Sequence, residues 1–148
     1  MNRLQIQLGF GLILLSLLGG FAMPLFRNPR LGLTAHVVGV MGGLVLIAVG
    51  ALAASFALRP RASAVMMASW VYTAYANWVA SLIGAFTGAS RLTPIAGAGT
   101  TGDALSETVV SLLLASLSVT SIVGTALAVW GFRRVAPARA TAPASAVS

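Results

Sequence analysis

Four long apolar stretches, separated by short breaks rich in arginine, proline or glycine, dominate the 148-residue sequence. A helix needs about 20 mainly apolar residues to cross the hydrocarbon core of a bilayer. The pattern therefore predicts four membrane-spanning helices, at approximately 5–23, 32–58, 64–88 and 104–132. We expect an all-α fold, an integral membrane four-helix bundle over 1–132. The remaining segment, 133–148, is poor in large apolar residues and is predicted to be a disordered cytoplasmic tail.

The composition agrees with a membrane protein. Of the residues, 58% are hydrophobic and 7% are charged, and the mean hydropathy is +0.96, which lies outside the usual range of soluble domains. The absence of cysteine excludes disulfides, thiolate metal ligands and covalent haem attachment. No basic patch is interleaved with aromatic residues, so we expect no nucleic-acid partner.

The arginines predict the orientation in the membrane. An even number of spans places both termini on one side, together with six of the nine basic residues, all of them arginines. The side richer in arginine is normally cytoplasmic. The six are Arg3, Arg59, Arg61, Arg133, Arg134 and Arg139, and the other side carries Arg27, Arg30 and Arg91. We therefore expect a multi-pass protein with both termini in the cytoplasm.

The third span carries a polar stripe. Ser69, Thr73, Asn77 and Ser81 recur every four residues, which places them on one face of a helix. Hydrocarbon cannot satisfy their hydrogen bonds, so this face must meet protein or a cavity. Hydroxyls in such a stripe commonly bond neighbouring helices, whereas a carboxamide has four hydrogen-bonding positions to satisfy. The same helix contains four aromatic residues, some of which are expected to line an internal pocket: Trp70, Tyr72, Tyr75 and Trp78.

Other polar residues in the spans are fewer. The fourth span has a weaker seam at heptad spacing, formed by Ser111, Ser118 and Thr125. The only histidine, His36, lies about one turn inside the outer end of the second span. It could bond a neighbouring carbonyl, or it could mark a ligand or proton site, since ionisable groups in spans are rare. Its spacing alone does not decide between these two hypotheses.

The two acidic residues open the fourth helix, after a loop rich in glycine and threonine. Asp103 is expected to cap this helix, because a carboxylate accepts from the unpaired N–H groups of the first turn. Glu107 lies one turn further into the apolar segment, and its role is left open. The Gly39-x-x-x-Gly43 pattern allows close helix packing without specifying a dimer.

Three segments together resemble a known family. They are Leu-Gly-Leu-Thr-Ala-His-Val-Val-Gly-Val-Met-Gly-Gly at 31–43, Tyr-Ala-Asn-Trp-Val-Ala at 75–80, and Pro-Ile-Ala-Gly-Ala-Gly at 94–99, followed by Glu107. They resemble bacterial hydroxylaminobenzene mutase and, more distantly, styrene oxide isomerase, another small four-span membrane enzyme. The resemblance implies an isomerase in the bacterial inner membrane.

The resemblance also implies a cofactor and a site. Its haem-containing members hold ferric haem b between the protomers of a trimer, which implies a homo-oligomer with His36 as the haem ligand. It implies catalytic roles for Asn77, Glu107 and Tyr75, and a substrate pocket lined by Trp70, Thr73, Trp78 and Ser81. The chain departs from the family pattern at Gly42, where an asparagine is usual, and at Thr73 and Ser81, where an acid and a tyrosine are usual.

The expected reaction converts an aryl hydroxylamine, such as hydroxylaminobenzene, to a 2-aminophenol by intramolecular hydroxyl transfer, with ferric haem as Lewis acid. Epoxide isomerisation of the styrene-oxide type and a non-catalytic structural membrane subunit are the alternatives. A cation exporter is disfavoured, because such a protein needs a carboxylate within the membrane, and the nearest candidate, Glu107, lies near an interface.

Overall fold

The structure, a computed structural model, describes residues 1–132 and is all-helical over that range. The predicted tail at 133–148 lies outside the described residues. Four long helices and one short one follow each other along the chain: α1 (Arg3–Phe21), α2 (Pro29–Ala51), α3 (Pro60–Thr87), α4 (Pro94–Gly97) and α5 (Ala104–Phe132). Two 3-10 turns, Met23–Leu25 and Leu52–Ser55, follow α1 and α2.

Local signals in the sequence set where the helices begin and end. The side chains of Asn2 and Asn28 cap α1 and α2 by accepting from the backbone N–H groups of Gln5 and Leu31. Proline occupies the first turn of α2, α3 and α4, where its missing N–H costs nothing. The third helix ends at Gly88, whose φ of 82° is a left-handed conformation that glycine adopts without strain.

The long helices run in alternating directions and pack in chain order. Helix α2 lies between α1 and α3, and α5 packs against α3. In the described part of the chain α5 has no comparable contact with α1 or α2, so a single chain does not close into the expected four-helix bundle. The face of α2 and α3 beside α5 therefore stays open, and this opening contains the groove described below.

Glycines bring α1 and α2 close together. A Cβ added at Gly43 would lie 2.6 Å from the carbonyl oxygen of Gly9, and one added at Gly39 would overlap the side chain of Ser16. The Gly39-x-x-x-Gly43 pattern is thus used within one chain, where it lets the two backbones approach.

Helices α3 and α5 meet along a polar seam. The Tyr72 hydroxyl bonds the Ser116 hydroxyl at 2.7 Å, and the Thr73 hydroxyl bonds the Thr120 hydroxyl at 2.8 Å. The stripe on α3 therefore faces protein, as predicted. The heptad seam noted on α5 does not make this contact. Ser118 and Thr125 are exposed, and the hydroxyl of Ser111 is buried without a hydrogen-bond partner in the described range.

Three of the long segments are apolar and long enough to cross a membrane: Arg3–Phe21, Pro29–Ser55 and Ala104–Phe132. The third helix is also long, with 28 residues. It is less apolar because it carries the polar stripe and has Arg61 in its first turn. Its polar face is turned toward α5 and toward two cavities, an arrangement that reduces the contact of its hydroxyl and amide groups with lipid.

Candidate functional site

A groove runs between α2 and α3, on the open side of the helix layer. Its volume is about 250 Å³, and α2 lines it with Val38, Met41, Gly42 and Val45. Helix α3 contributes Trp70, Thr73, Ala74 and Asn77. The walls are mainly apolar, and Met41 is 62% exposed at the rim, so the groove opens at the surface of the helix layer. Such a lining, with few polar groups, is typical of a small-molecule site.

Asn77 is the principal polar group in the groove. Its side chain has no hydrogen-bond partner within residues 1–132. Thr73 already bonds Thr120 of α5, and the buried indole N–H of Trp70, which lies beside Gly124 of α5, has no hydrogen-bond partner in the described range. A carboxamide offers two donor and two acceptor positions, and leaving them unpaired in apolar surroundings is costly. The free carboxamide of Asn77 can therefore both donate to and accept from a bound molecule.

A second, smaller cavity adjoins Asn77 at the outer end of the helices. Its volume is about 60 Å³, and it is lined by Thr34, Asn77, Ser81 and Thr93 together with apolar side chains. The hydroxyls of Ser81 and Thr93 have no hydrogen-bond partner in the described range, whereas that of Thr34 donates to the carbonyl of Arg30. Asn77 lines both this cavity and the groove. We call the smaller cavity the polar chamber.

His36 lies on the other side of α2. Its Nδ1 is 2.9 Å from the carbonyl oxygen of Ser16 on α1. A carbonyl oxygen can only accept, so Nδ1 is the donor in this contact, and Nε2 is the nitrogen left to bind a ligand. Val45 of the groove is nine residues further along α2, about two and a half turns, and so projects from the opposite face. One chain does not bring His36 and Asn77 into a single site.

Two further predicted site residues also point away from the groove. The hydroxyl of Tyr75 donates to the carbonyl of Leu8 on α1 at 2.9 Å. Trp78 lies against α2 at Gly39, where its Cδ1 is 2.6 Å from the position of an added Cβ. Both side chains belong to the packing between α3 and its neighbours on the α1 side. Of the predicted pocket, the structure groups Trp70 and Thr73 with Asn77 in the groove, and Ser81 with Asn77 in the polar chamber.

Glu107 holds the outer loop in place. Its carboxylate is buried, and Oε1 accepts from the backbone N–H groups of Ser90 at 3.1 Å and Gly102 at 3.0 Å. Oε2 accepts from the backbone N–H of Arg91 at 2.9 Å. Three backbone donors on a single carboxylate fix the loop that links α3 to α5. Glu107 does not line the groove or the polar chamber.

Asp103 stands directly before α5, at the predicted start of the fourth long helix. Its carboxylate accepts from the Ser106 hydroxyl in the first turn of α5. This hydrogen bond is the main reason why the pKa of the Asp103 carboxyl is below its usual value. Residues 1–132 contain no group of three histidine, cysteine, aspartate or glutamate side chains that could hold a metal ion.

The chain matches the model of the styrene oxide isomerase family over residues 1–133. It belongs to the styrene oxide isomerase family. It is 43% identical to hydroxylaminobenzene mutase HabB of Ectopseudomonas oleovorans, over 97% of this chain and 88% of that protein. It is 36% identical to hydroxylaminobenzene mutase HabA of the same organism, over 74% of this chain and 82% of that protein. No solved structure matches the chain significantly. These findings confirm the prediction that the protein is an isomerase.

Two residues at the outer end of the helices were not predicted from the sequence. Asn28 is buried, and its amide donates to the carbonyl of Gly97 and to the hydroxyl of Thr100. The Asn28-Pro29 pair is a recognisable helix start, but its contact with a loop about 70 residues away has no local signal. Thr93 of the polar chamber was likewise missed, because it lies in a loop whose folded position the sequence pattern does not give.

Proposed function

We propose that the protein is a hydroxylaminobenzene-mutase-type isomerase, which converts an aryl hydroxylamine to a 2-aminophenol. The observation that carries this proposal is the unpaired carboxamide of Asn77 in an otherwise apolar groove. The groove volume of about 250 Å³ is close to the lower end of the range of small-molecule sites, about 300–1,000 Å³, which suits a substrate with one ring. The identity to two hydroxylaminobenzene mutases supports the same substrate class.

The reaction rearranges atoms within one molecule. The N–O bond breaks, the oxygen bonds to the ortho carbon, that carbon loses a proton and the nitrogen gains one, so no oxidant or reductant is needed. In the groove, the amide N–H of Asn77 donates to the hydroxylamine oxygen, and its carbonyl accepts the N–H. The ring packs against Trp70 and the side chains of Met41 and Val45. These apolar walls exclude bulk water, which would otherwise attack the electron-poor ring.

We propose haem b as the cofactor, held by His36. The residues present fit such a group, because the bond from Nδ1 to the Ser16 carbonyl fixes the ring and leaves Nε2 as the ligating atom. This arrangement is usual for metal-bound histidine. When bound, such a ferric haem would supply Lewis-acid chemistry to the reaction.

A homo-oligomer would bring together the candidate haem ligand, His36, and the groove that contains Asn77. His36 and the groove lie on opposite faces of α2, so the cofactor ligand of one copy can serve the groove of another. We therefore propose a ring of identical chains, such as a trimer with haem between protomers. This proposal also accounts for large apolar side chains that are exposed along α2, including Val37, Met41 and Leu44.

We propose four membrane spans in the bacterial inner membrane, with both termini cytoplasmic. The alternating helix directions support this topology, because Arg27 and the loop after α3 lie at one end, where Arg27 bonds the carbonyl of Thr87. The N-terminus lies at the other end, where the backbone N–H of Asn2 donates to the carbonyl of Gly50. Reporter fusions in the Arg91–Asp103 loop and after Phe132 test it, and an external C-terminus would contradict it.

The hydroxylamine reaction is favoured over epoxide isomerisation. The groove contains no acid, and the hydroxyl of Thr73, at a position where an acid is expected for the epoxide reaction, is already bonded to Thr120. The lining of the groove therefore lacks the acid that is usual at this position in the epoxide-isomerising relatives.

The test uses purified protein in detergent or nanodiscs, with hydroxylaminobenzene in oxygen-18 water. We expect 2-aminophenol that retains the oxygen of the substrate, because the apolar walls of the groove keep bulk water away from the ring. We expect Asn77→Ala to lower kcat by about 10² to 10³, the usual effect of removing one positioned polar group, while haem content is kept. Ser118→Ala, at an exposed site on α5, is the matched control. A mainly para product, substantial solvent oxygen, or full activity of Asn77→Ala would contradict the proposal.

A further inference from the structure

No step of the proposed reaction described above involves the polar chamber. It adjoins the groove through Asn77, and three hydroxyl side chains line it: Thr34, Ser81 and Thr93. Two of these hydroxyls are unpaired in the described range, as is the carboxamide itself. Ser81 is 8% exposed, so its hydroxyl has little access to outside water. Ser81 is buried, whereas Asn77 and Thr93 are half-buried, and polar groups in such positions are normally satisfied by protein or by ordered water.

The chamber is large enough to contain water. A site needs about 10–15 Å³ of space accessible to a water-sized probe for one molecule, together with two to four polar partners. The volume of about 60 Å³ therefore accommodates a few waters. The hydroxyls of Ser81 and Thr93 and the carboxamide of Asn77 supply their partners.

The proposed reaction needs a carrier for one proton. The ortho carbon must lose its proton after the C–O bond forms, and the nitrogen must gain one. The groove is lined by no carboxylate, histidine or other group that titrates near neutral pH. Direct transfer between the two atoms within the substrate is geometrically strained. A water molecule beside Asn77 can accept the ring proton and deliver another to the nitrogen.

We propose that the polar chamber is a hydrated proton relay that serves the groove, with Ser81 and Thr93 as the residues that position its water. This inference rests on the proposed function. In the relay, the ortho C–H bond breaks and its proton passes to water, while a proton from the same hydrogen-bonded water cluster forms the new N–H bond. The relay is neutral overall and needs no co-reactant. Water bound to the carboxamide from the chamber side also fixes which atoms of Asn77 face the substrate.

The experiment displaces the water without removing Asn77. In the double variant Ser81→Val/Thr93→Val, methyl groups replace both hydroxyls and fill space in the chamber. In the matched variant Ser81→Ala/Thr93→Ala, the hydroxyls are also removed, but room is left for additional water. Turnover is measured with ordinary and ring-deuterated hydroxylaminobenzene, alongside haem content and helical circular dichroism.

We expect the valine variant to lose about 100-fold in kcat, the lower end of the effect of proton-transfer catalysis. Deuteration of the ring should slow this variant and leave the wild type almost unaffected, because removing the relay makes C–H cleavage limiting. The alanine variant should lose less than the valine variant in both respects, because additional water can occupy the space of the two hydroxyls. Ser118→Ala, at an exposed site that lines neither cavity, should stay at the wild-type level. A merely structural role would lower folded content and would not create sensitivity to ring deuteration.

Three results would overturn the inference. They are unchanged turnover and isotope sensitivity in the valine variant, equal losses in both variants, and a high-resolution experimental structure with a dry chamber. Failure of the proposed function gives a different pattern: wild-type protein that contains water in the chamber but does not convert aryl hydroxylamines would reject the reaction and the relay together. Active wild type with an unaffected valine variant would reject the relay alone.

Discussion

The most direct structural prediction concerns Glu107, whose carboxylate holds three backbone N–H groups of the outer loop. In Glu107→Gln, the remaining carbonyl oxygen can keep the two donors at Oε1, from Ser90 and Gly102. The new amide group then faces the N–H of Arg91 at the former Oε2 position, so a donor meets a donor. The substitution therefore removes one charge-assisted bond and weakens the other two.

The expected magnitude follows from these contacts. One hydrogen bond to a charged group contributes about 1.5–3 kcal/mol. Water can reach the partly buried N–H of Arg91 and recover some of this, so we expect loop opening to become easier by about 2 kcal/mol. Since 1.4 kcal/mol corresponds to a factor of ten, the open population of the loop should rise by about 30-fold.

Limited trypsin digestion measures this population, because the exposed side chain of Arg91 is a cleavage site within the loop. When opening is fast relative to cleavage, the rate tracks the open fraction. Asp103→Asn is the control, since it makes the same charge change at an exposed carboxylate and asparagine also caps helices. Equal cleavage rates at the Arg91–Leu92 bond in the two variants would refute the role assigned to Glu107.

Three further predictions follow from the packing and the candidate ligand. Gly43→Ala should destabilise the protein by about 1–3 kcal/mol in thermal unfolding, because the added Cβ meets the backbone of α1. Gly19→Ala, whose added Cβ has no neighbour within 4 Å, should be neutral or slightly stabilising. Equal melting temperatures of the two variants would contradict this prediction. His36→Ala should abolish the Soret absorption of haem-supplied protein and keep its helical circular dichroism, and an unchanged Soret band would exclude His36 as the ligand. A double-mutant cycle with Thr73→Val and Thr120→Val should give a coupling of about 0.6 kcal/mol, the average for such bonds in membranes, and zero coupling would mean that the hydroxyl pair contributes nothing to stability.

The helices could be predicted from the sequence because long apolar runs have few alternatives in a chain of this composition. The predicted ends of the helices were less accurate. The second helix starts at Pro29 rather than near residue 32, since its Asn-Pro start is polar and precedes the apolar run. It ends at Ala51 rather than near residue 58, because the following Leu52–Ser55 turn is as apolar as the helix. Composition cannot distinguish an α-helical turn from a 3-10 turn made of the same residues.

Site residues could be predicted from the sequence where they lie on one face of a single helix. The stripe containing Asn77 follows from four-residue spacing, which is a property of α3 alone. Its partners on α5 did not follow, because hydroxyl residues occupy several faces of that helix and only packing selects Ser116 and Thr120. The roles of Tyr75 and Glu107 depend on contacts with α1 and with the outer loop. Such contacts join distant parts of the chain and leave no periodic signal.

The placement of His36 and Asn77 on opposite sides of α2 explains how so few polar groups could support a reaction. An imidazole and a carboxamide within one apolar pocket would tend to bond each other, since each is costly to leave unpaired. Here the Nδ1–H of His36 is satisfied by the Ser16 carbonyl, while Asn77 has no partner within the described chain. Separation therefore keeps Nε2 free for a ligand and the carboxamide free for a substrate. In the proposed oligomer, activity depends on a second copy, so dilution that dissociates the oligomer should abolish turnover while each chain stays folded.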